Sequence, residues 1–159
     1  MVHMATPRWL DDDEQATWRA YRRMNRLLYA ALARDLTHDT GLSDPDYEVL
    51  STLTEATGRT WRATELGAHL QWSTSRLAHH IGRMEQRGLV NRESCSDDGR
   101  GAVIRLTKAG RQTIQRAAPH HVAAVRRRFI DRLTPEQLIA LRSIGDTIAE
   151  HLNEAGLQR

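Results

Sequence analysis

Residues 63–90 constrain this chain more than any other stretch. A short run over residues 63–70 carries Leu66 and Leu70 on one side, and a second run over residues 74–87 carries Leu77, Ile81 and Met84 at helical spacing. Only Gln71-Trp72-Ser73 separates them, which is a tight connection, and Gly88 stops the second run. The period then changes. Leu89-Val90-Asn91-Arg92-Glu93 alternates as a short strand, and Ser96-Asp97-Asp98-Gly99-Arg100-Gly101 is a polar, glycine-bearing turn. Ala102-Val103-Ile104-Arg105-Leu106 is the returning strand.

The flanks are helical. Residues 11–38 open with Asp11-Asp12-Asp13-Glu14, acids that suit the positive end of a helix dipole. Trp18, Tyr21, Leu28, Leu32 and Leu36 recur behind them, and Gly41 ends the run. Ser43-Asp44-Pro45-Asp46 is a start signal for a helix bearing Tyr47, Val49, Leu50 and Leu53, which stops near Gly58. Thr107 caps a helix running to about Leu133, with Pro119 as a kink or break inside it. Thr134-Pro135-Glu136-Gln137 starts a last helix with Leu138, Leu141, Ile144, Ile148 and Leu152 on one face.

This order predicts a mainly α fold with a small β-hairpin wing, a winged helix-turn-helix with long flanking helices. The boundaries expected are residues 1–42 for the tail and first dimerisation helix, 43–107 for the winged lobe, and 108–159 for the C-terminal dimerisation helices. The terminal apolar stripes exceed what a small central lobe can cover. Pairing with a second copy buries them, so a homodimer is expected; packing on their own chain is the alternative.

Charge is unevenly placed. Residues 73–132 hold 13 Lys/Arg against 5 Asp/Glu, while residues 1–72 hold 8 against 11 and residues 133–159 hold 2 against 4. A basic centre between mildly acidic flanks suits a polyanion such as double-stranded DNA, because cations on phosphates release counterions. A solvated basic surface is the plainer reading. No apolar run reaches the roughly 18 residues of a membrane span. The start Met1-Val2-His3-Met4-Ala5 does not read as a secretory leader, and Cys95 is the sole cysteine, so a reducing cytoplasm is the expected address.

The second helix of the pair is the element that enters a major groove. At 100° per residue, the face opposite Leu77, Ile81 and Met84 contains Ser75, Arg76, His79, Gly82 and Arg83, with Trp72 and Ser73 at its start. No carboxylate occupies it before Glu85, and an acid there would repel phosphate. Arg76 matches the paired acceptors of a guanine edge. Ser73, Thr74 and Ser75, with the first amides of the helix, suit phosphate contacts, as does Arg83. In the hairpin, Arg100 is placed for a narrow minor groove. Asp98 either orients it by an ion pair or simply serves the turn.

Five segments together resemble one known family. They are Ala63-Thr64-Glu65-Leu66; Ser73-Thr74-Ser75-Arg76-Leu77; Met84-Glu85-Gln86-Arg87-Gly88-Leu89-Val90-Asn91-Arg92; Asp98-Gly99-Arg100; and Leu106-Thr107-Lys108-Ala109-Gly110. The chain resembles the multiple-antibiotic-resistance regulators, the MarR family, over nearly its whole length. The resemblance implies a triangular homodimer joined through its terminal helices, with two winged lobes on a palindromic operator. It further implies repression relieved by a small-molecule effector, often an aromatic acid or phenol, bound between dimer helices and lobe. Trp18, Tyr21 and Tyr47 are the candidate aromatic lining, with Arg22, Arg23 and Arg26 offering a cation. Plain core is the alternative role for the aromatics, and a solvated stripe for the arginines. The oxidant-sensing members carry a cysteine near the amino terminus, and this chain has none there.

Other classes leave weaker marks. The pairs His79-His80 and His120-His121 diverge by about 100° on a helix, which suits joint ligation poorly, so neither a metal nor a cofactor is expected. Cys95 beside the wing would make a redox-responsive regulator only if activated. No phosphate loop, nucleophile elbow, zinc-protease motif or triad appears, so the chain does not read as an enzyme. A winged helix that docks protein instead of DNA would need an apolar patch on the second helix in place of Arg76, His79 and Arg83.

Overall fold

The structure, a computed structural model, describes residues 7–56, 58, 60–94 and 101–157. Six α-helices and three strands follow in the order α1 (Asp12–Thr40), α2 (Asp44–Glu55), β1 (Thr60–Arg62), α3 (Ala63–His69), α4 (Thr74–Gln86), β2 (Val90–Ser94), β3 (Ala102–Leu106), α5 (Lys108–Arg128) and α6 (Pro135–Leu157). Packing divides the chain into two compact units, residues 33–127 and residues 1–32 with 128–159.

Local chemistry sets most helix ends. Ser43 Oγ accepts from the Asp46 amide while Asp46 Oδ2 accepts from the Ser43 amide, a reciprocal cap on α2. Thr134 and Gln137 repeat the device at α6, at 3.3 and 2.9 Å. Thr107 caps α5 through the Gly110 amide at 2.9 Å. Pro119 does not break α5. It lies on the exposed face, where water can serve the carbonyl that it leaves unpaired. The helix instead ends at Arg128, short of the expected Leu133, and a 3₁₀ turn follows over Ile130–Arg132.

The sheet has three strands, not the two of a bare hairpin, in the order β1-β3-β2, all antiparallel. Trp61 pairs with Ile104, and Arg92 pairs with the same residue from the other side. The chain leaves helix at Ala56, earlier than Gly58, because residues 60–62 are drawn into this sheet.

One apolar core organises the 33–127 unit. Leu50, Leu53, Leu66, Leu77, Ile81, Met84, Val90, Ile104 and Ile114 are buried within it. Each such side chain contributes about 1.5–3 kcal/mol over exposure. In the other unit the helices are bare: Trp18, Tyr21, Leu27 and Tyr29 of α1 and Ile139, Ile144, Ile148 and Leu152 of α6 are each at least half exposed.

Two glycines test the packing in opposite directions. A Cβ on Gly110 would run into the Leu89 carbonyl and sit 2.9 Å from Leu106 Cδ1, so no side chain fits where α5 meets the end of α4. At Gly82, inside α4, a Cβ meets nothing within 4 Å. Gly110→Ala is expected to lower unfolding free energy by roughly 1–3 kcal/mol, and Gly82→Ala to raise it by about 0.5–1 kcal/mol, measured by urea denaturation.

Candidate nucleic-acid interface

Helix α4 is pinned at both ends. Ser73 Oγ accepts from the Arg76 amide at 3.2 Å, closing the first turn. At the other end Gly88 takes φ +70, and the Leu89 amide returns to the Met84 carbonyl at 3.0 Å. Between these stops Leu77, Ile81 and Met84 face the core. Thr74, Ser75, Arg76, His79 and Arg83 are exposed, as their spacing requires. Ser73 is exposed too, with its hydroxyl engaged in the cap.

Trp72 departs from the expectation that it opens the solvent face. It is buried, and the Arg76 guanidinium carbon rests 4.2 Å from its ring centroid. The reason is its position: the Trp72 amide closes the turn on the Gly67 carbonyl, which directs the indole into the lobe. Glu85, the first acid along the helix, accepts from the Arg92 amide of β2 at 3.0 Å, so its charge is already occupied. On the sheet, Arg105 forks onto Glu93 at 2.8 and 3.0 Å. Arg100, Asp98 and Cys95 lie outside the described residues.

Beneath the face lies a buried polar group that the sequence pattern does not announce. His80 is 6% exposed and Asp46 3%. Arg87 donates to Asp46 Oδ2 at 2.8 Å, and His80 Nε2 stands 3.1 Å from Oδ1. That second approach is within ion-pair range but off the line of a well-formed hydrogen bond. His80 Nδ1 lies 2.9 Å from Arg83 Nη2. Arginine has only donors, so Nδ1 is the acceptor and the ring proton sits on Nε2, toward Asp46. Burial pushes His80 below the ordinary imidazole value; Asp46 opposes this, and Arg83 and Arg87 reinforce it. Burial also pushes Asp46 upward, but hydrogen bonds from Arg87 and Ser43 outweigh it, and its carboxyl ends below the usual range.

The remaining candidates belong to different units. Trp18 and Tyr21 stack at 5.5 Å and 20°, both half exposed, with Arg22 exposed beside them in sequence. Tyr47, on α2, packs against His121 at 4.3 Å. Among the described residues no group of three or more His, Cys, Asp or Glu is arranged to hold a metal ion. No helix among them is long and apolar enough to cross a membrane.

Comparison places this architecture. A model of the MarR family matches residues 42–101. AbsC, a MarR family transcriptional regulator from Streptomyces coelicolor, is 46% identical, with a TM-score of 0.87 over 93% of this chain and 99% of that one. The chain belongs to the MarR family. It is a transcriptional regulator of that family and not an enzyme. Sco3205, a MarR family regulator from the same organism solved in complex with DNA, is 42% identical, with a TM-score of 0.87 over 92% of each chain. The organohalide-sensing regulator RdhR-CbdbA1625, solved in its 2,4-dichlorophenol-bound form, is 18% identical with a TM-score of 0.77 over 95% of this chain and 89% of that one, and shares the fold. A search of curated proteins finds no match.

The lowered His80 makes this MarR-family lobe acid-sensitive. Below about pH 6.5, the ordinary imidazole value, the unfolded chain takes up a proton that the folded site resists. Stability therefore falls as pH drops from 6.5 toward the lower folded value, by up to about 1.4 kcal/mol per pH unit. Asp46 adds a separate loss only below its ordinary 3.8, as its folded carboxylate is protonated. Urea denaturation at pH 7.5 and 5.5 should show the first loss in the native chain and a shallower one in His80→Asn.

Proposed function

We propose that this regulator is a homodimeric repressor that grips an inverted-repeat DNA operator, one α4 in the major groove of each half-site. The observation that carries this reading is the solvent face of α4. Its exposed members Thr74, Ser75, Arg76, His79 and Arg83 include no carboxylate, and a buried stripe holds them in one orientation. Arg76 reads a guanine edge. Ser73, Thr74, Ser75 and Arg83 contact phosphate, with Ser73 acting through the first-turn backbone that it caps. His79 lies among them. Arg100, two residues from Asp98 in the sequence, is the residue for the neighbouring minor groove. The 42%-identical relative solved with DNA supports this placement. A protein-docking face is disfavoured because no large apolar side chain is exposed on α4.

The second copy is supported by the bare apolar residues of α1 and α6. Burying Ile139, Ile144, Ile148 and Leu152 against a partner removes an exposure that a monomer would carry at a cost. Two-fold pairing then sets the half-sites about one helical turn, roughly 34 Å, apart. Release by a small aromatic acid or phenol completes the proposal. The Trp18–Tyr21 stack offers an aromatic face and Arg22 a cation. The relative bound to 2,4-dichlorophenol supports this class of effector. The cytoplasm is the compartment where such a regulator works.

Two experiments test the reading. Mobility shifts on a genomic site recovered with the protein should weaken steeply as salt rises. Arg76→Ala should lose about 1–3 kcal/mol on that site and relax the preference at one base pair; an equal loss on random duplex contradicts base reading. Ile144→Asp with Ile148→Asp should shift the protein to a monomer in sedimentation and abolish binding at concentrations where the native chain binds. A double variant that stays dimeric rejects this interface.

A further inference from the structure

We infer that the buried Asp46–His80 pair is a positioning device that holds Arg83 ready for DNA from beneath α4. The inference rests on the DNA reading of that helix. Folding alone does not explain a histidine here. His80 sits on the inward side of α4 among Leu77, Ile81 and Met84, where an apolar side chain would pack without any polar partner. What the imidazole adds is a lone pair on Nδ1, 2.9 Å from Arg83 Nη2.

The chain of restraints runs back into the lobe. The Ser43 amide and Arg87 fix Asp46, at 3.1 and 2.8 Å. Asp46 Oδ1 stands 3.1 Å from His80 Nε2, and with Arg83 donating to Nδ1 the ring proton is left on the Nε2 side, toward the carboxylate. The far end of this restraint is an exposed arginine on the face that meets phosphate. Arg83 uses one donor on His80 and keeps the others for a ligand. A long side chain restrained before binding loses less freedom on binding. The same imidazole stands edge-on to Trp72, at 5.3 Å and 88°, and Trp72 carries Arg76 on its face. One buried unit thus underlies both arginines of the helix.

The test compares His80→Phe, His80→Asn, Arg83→Ala and the double variant His80→Phe/Arg83→Ala by titration of the genomic duplex recovered with the native protein. His80→Phe keeps the ring packing and removes the acceptor; His80→Asn restores an acceptor at the Nδ1 position. The expected result is about tenfold weaker binding for His80→Phe and rescue to within about threefold of native for His80→Asn. Adding His80→Phe to Arg83→Ala should cost nothing further. A merely structural role predicts the opposite, equal losses with and without Arg83 and no rescue by Asn. In the native protein, ¹⁵N resonances should show His80 Nδ1 unprotonated and Nε2 protonated at neutral pH, a reading that needs no variant to fold. The reverse tautomer overturns the inference. So does an Arg83→Ala that binds as the native chain does. A native chain that retains no duplex rejects the DNA reading and this role together; native binding with additive His80 and Arg83 losses rejects this role alone.

Discussion

What α4 shows to solvent depends on what it buries. Leu77, Ile81 and Met84 share one core with Leu50, Leu66, Val90 and Ile104, so the helix cannot roll without exposing several apolar side chains at once. Its axial position is equally constrained. Ser73 closes one end, Gly88 turns the chain at the other, and Gly110 of α5 abuts the Leu89 carbonyl with no room for a Cβ. Arg76 and Arg83 are therefore displayed from a rigid rod rather than from a loop. Geometry of that kind is what distinguishes reading a base edge from adhering to phosphate.

The polar group threaded under that rod runs against the economy of an apolar core. A buried carboxylate and imidazole lose hydration, which their mutual approach, the bonds from Ser43 and Arg87 to Asp46 and the bond from Arg83 to His80 offset. Asp46 serves two ends at once: it completes the cap of α2 and receives cation and imidazole from α4 and the residue that follows it. The start of α2 is thereby tied to the end of α4 by the directional bond from Arg87. Such a bond has one satisfactory arrangement, whereas apolar contacts tolerate several.

The two units show different degrees of self-sufficiency. The 33–127 unit encloses its own core. The unit formed by the chain's two ends keeps large apolar side chains at half exposure or more along α1 and α6. Amphipathic helices with an uncovered stripe are what a symmetric partner completes. On that reading, DNA recognition and assembly are divided between separate surfaces of one short chain.

Much of this was legible in the residues themselves, because its causes are local. Ser43-Asp44-Pro45-Asp46 and Thr134-Pro135-Glu136-Gln137 cap helices through bonds spanning three residues, and both do so in the structure. The spacing of Leu77, Ile81 and Met84 assigns the two faces of α4, and the shift to alternation after Gly88 announces the hairpin. Long-range pairing decided the rest. Thr60-Trp61-Arg62 is too short to show an alternation and becomes a strand only because β3 offers it an edge. Trp72 looks solvent-facing by helical angle, yet the turn that it closes drives it inward to become the seat of Arg76. Asp46 and Arg87 are 41 residues apart, and nothing in either neighbourhood names the other. The helix angle sets His79 on the solvent face, yet it does not name the partners that His80 meets inside. Torsional preferences and caps act within a turn or two of the chain and can be read along it, whereas a buried charge finds its partner only when folding removes the water from both.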